Sequence, residues 1–129
     1  MKKITLFLLV VFCLGLTACS KEAEVNDFIS ENHSVIEEIV KKIDADPTEK
    51  GVDEAQKSFD AKKVGLKAKW DAIKDASKAQ VSADVAKKLN DSMLADVKVL
   101  SDAGQKLSDM PAVQKYSKLM QEYTAIINP

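Results

Sequence analysis

Apolar residues in this chain recur at three- and four-residue steps in four separate stretches, and no stretch alternates at two-residue steps. At about 100° per residue, such spacing gathers the apolar side chains on one face of a helix. The first stretch runs from about Glu22 to Ala45. It carries Val25, Phe28, Ile29, Asn32, Ile36, Ile39, Val40 and Ile43 on one stripe. The second, from about Thr48 to Ala76, carries a narrower stripe of Val52, Ala55, Phe59, Leu66, Trp70 and Ile73. The third, about Ala83 to Leu107, carries Val85, Leu89, Met93, Val97, Leu100 and Leu107. The fourth, Pro111 to Ile127, carries Val113, Tyr116, Leu119, Met120, Tyr123, Ile126 and Ile127.

The breaks between the stretches carry helix punctuation. In "DADPTEKG", Pro47 disfavours helix at Asp46 and suits an early helical turn. In "SKAQVS", Ser82 is a candidate N-cap with Val81 as a staple residue. In "LSDMPA", Ser108 or Asp109 is placed to cap and Pro111 to begin a helix. Gly104 is expected to fray the end of the third helix. Acids early in the second stretch (Glu49, Asp53, Glu54) and lysines late (Lys67, Lys69, Lys74) complement the helix dipole. Short connections make antiparallel neighbours. The expected fold is therefore all-α, an up-down antiparallel bundle of four helices over residues 23–129. A three-helix core with a shorter docked fourth helix is the alternative.

The residues before the first stripe have a different character. Met1-Lys2-Lys3 is basic, Ile4 to Leu16 is almost unbroken apolar sequence, and small residues follow. That order describes a secretory signal peptide, and the run is shorter than the roughly 20 residues a spanning helix needs. It ends in "LTAC", residues 16–19, which resembles the lipobox of bacterial lipoproteins. The resemblance covers residues 1–20. It implies cleavage between Ala18 and Cys19, a diacylglycerol on the Cys19 thiol and acylation of the new amino group, with residues 19–22 as a short tether. Cys13 falls in the discarded segment. Ser20, rather than aspartate, follows the cysteine, which in Gram-negative lipoproteins resembles the pattern sent to the periplasmic side of the outer membrane. In a Gram-positive source the same anchor places the chain on the outer face of the plasma membrane.

Composition narrows the function. Lysine and arginine total 19, all of them lysine, against 20 acids and one histidine. Removal of residues 1–18 takes away Lys2 and Lys3, leaving 17 lysines against 20 acids and a charge near −3. No basic footprint for nucleic acid is present. With Cys19 lipidated, no thiol remains for a disulfide or a zinc site, and no metal or cofactor is expected.

Few residues stand out as carriers of chemistry. His33 lies at the edge of the first stripe with Glu37 one turn later, the reach of a helix-surface pair. Haem ligation by His33 with Met93, Met110 or Met120 lacks a Cys-x-x-Cys-His motif. The Glu-x-x-His pairs of bundle di-metal sites are missing, because residue 30 is serine. A hydrolytic serine elbow is also missing. Asp96 falls inside the third stripe, where an unpaired carboxylate would be costly. Lys62 and Lys63 occupy the gap between Phe59 and Leu66, so a buried ion pair of Asp96 with one of them is expected to fix helix register. Lys62, Lys63, Lys67, Lys74 and Lys78 flank the stripe around Trp70, an arrangement that also suits a membrane surface.

No catalytic residues are assigned and a non-enzymatic role is expected. The reading is a lipid-anchored helical interaction or structural module, held to the membrane through Cys19 and facing an envelope protein or cell-wall partner. The alternative is a carrier of a small apolar ligand or lipid in a cavity between helices, lined by Phe28, Phe59, Trp70, Met93 and Tyr116.

Overall fold

The structure, a computed structural model, describes the backbone of residues 2–75 and 81–128 and the side chains of residues 21–75 and 81–128. The chain forms a four-helix bundle with no strand among the described residues: α1 (Lys2–Ala45), α2 (Glu49–Ile73), α3 (Ala83–Gln105) and α4 (Met110–Ile127). The helix ends follow the local chemistry. The Ser82 hydroxyl accepts from Val85 N and Val81 packs on the core. Asp109 accepts from Ala112 N at 2.8 Å, with Pro111 in the first turn of α4.

Cross-helix bonds give the directions. Lys62–Glu38 and Lys69–Glu31 pair α2 with α1 in antiparallel order. Lys88–Asn26, Asp96–Asn32 and Lys106–Asp44 run in the same numerical order, so α3 lies parallel to α1. Lys115 with Asp53, and Glu122 with Gln56 and Lys63, set α4 parallel to α2. The helices alternate up and down, and their spatial order is α4–α2–α1–α3.

The core is continuous. α1 contributes Val25, Phe28, Val35, Ile36, Ile39 and Ile43, all essentially inaccessible, against Val52, Ala55, Phe59, Leu66 and Ile73 of α2. The Phe28 and Trp70 rings meet at 5.2 Å between centroids, and Phe59 meets Tyr123 edge-on at 6.4 Å. Val35 falls outside the single stripe read from the sequence. It is buried because α1 packs on α2 with one side and on α3 with another, which a one-face pattern does not describe. Val97 and Val113 depart the other way: both belong to sequence stripes and both are exposed, Val97 because it faces the open seam between α3 and α4.

Two close approaches depend on glycine. At the α1–α2 turn, Asp46 Oδ1 accepts from the Thr48 amide at 3.1 Å and the Thr48 hydroxyl at 2.5 Å, and the chain folds back so tightly that Gly51 abuts the Asp46 carbonyl. A Cβ on Gly51 would lie 1.7 Å from that oxygen. The α3–α4 link is tied to the same turn, since Ser108 donates to the Pro47 carbonyl through its amide (3.0 Å) and its hydroxyl (3.1 Å). Gly104 does not fray α3, which continues to Gln105. Instead it seats the Tyr116 ring, 2.8 Å from where a Cβ would stand, while the Tyr116 hydroxyl donates to the Leu100 carbonyl at 2.6 Å.

The three glycines of α2 and α3 therefore separate by environment. Gly65 has nothing within 4 Å of the place a Cβ would take. Gly65→Ala is expected to stabilise the bundle by about 0.5–1 kcal/mol through helix propensity and a less flexible unfolded chain. Gly51→Ala is expected to cost about 3 kcal/mol, because backbone must move to admit the methyl. Urea unfolding midpoints of the two variants check the opposite signs.

Candidate functional site

A chain of polar side chains crosses the core and links three helices. Asp96, on the buried face of α3, is 2 % exposed, and Asn32, inside the α1 stripe, is 1 % exposed. Asn32 Nδ2 donates to Asp96 Oδ2 at 2.8 Å, and the Tyr123 hydroxyl of α4 donates to Asn32 Oδ1 at 2.9 Å. Asp96 accepts only, so the amide must present its nitrogen to the carboxylate and its oxygen to the phenol. The other carboxylate oxygen, Asp96 Oδ1, lies 3.0 Å from His33 Nδ1, and His33 Nε2 lies 3.2 Å from Glu37 Oε1. The chain thus runs Tyr123–Asn32–Asp96–His33–Glu37, from the interior to solvent. No buried side-chain polar atom among the described residues lacks a partner.

The electrostatics follow from that order. Both ring nitrogens of His33 face carboxylate oxygens, so both hydrogen bonds form only when the imidazole is doubly protonated. The hydrogen bond to Asp96 is the main influence holding the His33 pKa above 6.5. Partial burial opposes it, and the charges of Asp96 and Glu37 add to it. Burial pushes the Tyr123 phenol up to about 12, so it stays neutral and keeps donating. Asp96 is therefore satisfied by one neutral amide and one imidazole that reaches it from the surface.

The expected pairing of Asp96 with Lys62 or Lys63 does not form. α3 lies on α1, with α1 between it and α2, so Asp96 meets α1 residues. Lys62 pairs instead with Glu38 at 3.3 Å, and Lys63 with Asp60 at 2.6 Å and Glu122 at 3.4 Å. Asn32 is legible in the sequence as the one polar member of the first stripe, and it is the residue that completes Asp96. The lysines around Trp70 are likewise paired within the bundle: Lys67 and Lys74 with Asp71, Lys69 with Glu31. That face alternates in charge, which weakens its suitability for an anionic surface. Lys78, and the side chains of Ala18 and Cys19, lie outside the described residues.

The cavity anticipated among Phe28, Phe59, Trp70, Met93 and Tyr116 is filled by packing: Phe28 and Phe59 are fully buried, Trp70 lies against Phe28, and the partly buried Met93 packs against the core. Open space lies at the seams instead. Between α2 and α4 a charged groove of about 260 Å³ holds Lys115, paired with Glu49 and Asp53, and the Lys63–Glu122 pair. Between α3 and α4 a larger groove of about 460 Å³ is lined by Val97, Leu100, Tyr116, Met120, Tyr123 and Ile127. The seam is not legible in the stripes, because each stripe names a buried face and not the distance between two helices.

No family model, curated protein or solved structure matches this chain.

The network makes two expectations measurable. Asn32→Ala leaves both Asp96 Oδ2 and the Tyr123 hydroxyl without their partner, and is expected to cost about 3 kcal/mol, against about 1–2 kcal/mol for Tyr123→Phe. Urea titrations of these variants and of the double variant should show strong non-additivity. For pH, the sign is set by the raised pKa of His33. Its contribution is complete below the unfolded value near 6.5 and disappears as pH rises through the folded value. Asp46, Glu54, Asp60 and Asp71, held below the usual carboxylate range by their hydrogen bonds, lose stability only in acid and so leave this window clear. Stability should therefore fall as pH rises above about 6.5, and His33→Gln should flatten that slope; thermal midpoints measured upward from about pH 6 check it.

Proposed function

We propose that the chain is a lipid-anchored envelope lipoprotein whose helical domain acts, without catalysis, as an interaction or structural module at the membrane surface. The observation that carries this reading is how little chain separates the anchor residue from the folded core. α1 is continuous from Lys2 to Ala45, and Val25, the first core residue, follows Cys19 by six positions. At 1.5 Å per residue that is about 9 Å of helix. Lys21 and Glu24 are already paired at 2.9 Å across the first turns beyond the anchor. Two or three acyl chains on Cys19 make the attachment durable, since a single chain holds only marginally. A stiff helix in place of a flexible tether keeps the bundle next to the bilayer with a restricted set of orientations. With Ser20 after the cysteine, the periplasmic side of the outer membrane is the favoured location in a Gram-negative source, and the outer face of the plasma membrane in a Gram-positive one. The partner is then an envelope protein or cell-wall material within reach of that position.

The test is mass and fractionation of the protein made in its native envelope. The wild type should begin at Cys19, carry added acyl mass on it and sediment with membranes. Cys19→Ser should carry no acyl mass and retain the leader. A wild-type protein without acyl mass at Cys19 overturns the reading.

A further inference from the structure

We infer that the seam between α3 and α4 is a binding site for one acyl chain of a neighbouring membrane lipid, taken up lengthwise beside Tyr116 and Tyr123. Four observations carry this inference. The first is the charge of the lining. In a chain of which 30 % is charged, none of the nine residues around this groove is charged. The charged residues of α4, Lys115, Lys118 and Glu122, all line the opposite groove against α2. An ionised ligand would find no counter-charge here, while an apolar one loses nothing by entering.

The second is what the two tyrosines present. Both hydroxyls are committed inward, Tyr116 to the Leu100 carbonyl and Tyr123 to Asn32, so the groove receives ring surface and not donors. The Thr124 hydroxyl is likewise bonded to the Met120 carbonyl. Ser101 and Asn128 supply what polar edge there is. The third is size. A volume of about 460 Å³ falls within the roughly 300–1,000 Å³ of small-ligand sites. From Tyr116 to Ile127 the groove follows α4 for about 16 Å at 1.5 Å per residue. Half of the roughly 30 Å hydrocarbon core, the depth spanned by one lipid chain, is about 15 Å.

The fourth is direction. Tyr123 meets α1 at Asn32, and α4 runs antiparallel to α1, so Ile127 and Asn128 lie toward the end of the bundle where α1 enters. On the anchor reading proposed above, that is the end facing the bilayer, and this step of the inference rests on it. The groove therefore opens toward the source of its ligand. Val97 (50 % exposed) and the partly buried Met120 and Ile127 form an apolar edge that an entering chain would cover.

The experiment uses the full chain extracted from its native envelope and reconstituted into vesicles of phosphatidylethanolamine and phosphatidylglycerol. The vesicles contain a phospholipid with a diazirine at mid-chain. After illumination, peptide mass analysis should place adducts of one phospholipid on the α3 peptide holding Val97 and the α4 peptides holding Met120 and Ile127. Val97→Glu and Ser101→Glu, both at exposed positions, should each lower that yield about tenfold or more by putting a charge in the groove. Val64→Glu, on a position 77 % exposed and outside the groove, should leave it unchanged. Adducts confined to α1, adducts spread equally over exposed faces, unchanged yield in both groove variants, or an internal cross-link to the chain's own anchor each overturn the inference. The same spectra read the mass at Cys19. An acylated Cys19 with no groove adduct overturns the groove site alone. Groove adducts without acyl mass at Cys19 overturn the anchor reading alone.

Discussion

The hydrogen bond from Asn32 to Asp96 is the constraint around which the rest of this bundle is arranged. A carboxylate that is 2 % exposed has to be solvated by the protein, and one helical register of α3 on α1 places an amide against one oxygen and an imidazole against the other. Sliding α3 by a turn would strand the charge. Apolar packing alone would tolerate such a slip, since Leu, Val and Met replace one another at modest cost. The same amide also receives the Tyr123 hydroxyl, so the polar chain fixes α4 as well. Parallel placement of α3 beside α1 is thereby specified by directional bonds as well as by burial.

That arrangement explains why the outer seam is open. α1 and α2 form the inner pair, α3 is bound to α1 and α4 to α2. α3 and α4 touch near their short link, where Gly104 admits the Tyr116 ring, and diverge beyond it to leave the apolar groove. The seat of Tyr116 at one end and the Tyr123–Asn32 bond at the other hold the walls of the groove from behind. The groove is in this sense the outer consequence of the buried network, and the proposed acyl-chain site and the register of the helices share Tyr123.

Much of the architecture is legible residue by residue. The four stripes, the caps at Ser82 and Asp109, and Pro111 in a first turn all appear where the chain's periodicity and punctuation put them. So do the strangeness of Asp96, the edge position of His33 with its Glu37 neighbour, and Asn32 as a polar residue among apolar ones. The partner of Asp96 is not legible. A stripe tells which side of a helix is buried and is silent on which helix covers it, so the lysines in the α2 gap look equivalent to Asn32 and His33 as partners. Val35 and Val97 err for the same reason in opposite directions: one lies on a second contact face, the other faces a seam left open.

The sequence by itself determined the all-helical class, the four amphipathic segments, the caps at Ser82 and Asp109, and the main buried face of each helix, because these follow from spacing and capping within one segment. It also carries the Cys19 motif on which the anchor proposal stands. Tertiary structure alone decided that α3 lies on α1, that Asp96 meets an amide and an imidazole, and that α3 and α4 part to form a groove. Those features depend on distances between segments up to 91 residues apart, as in the Tyr123–Asn32 bond, and no local periodicity encodes them.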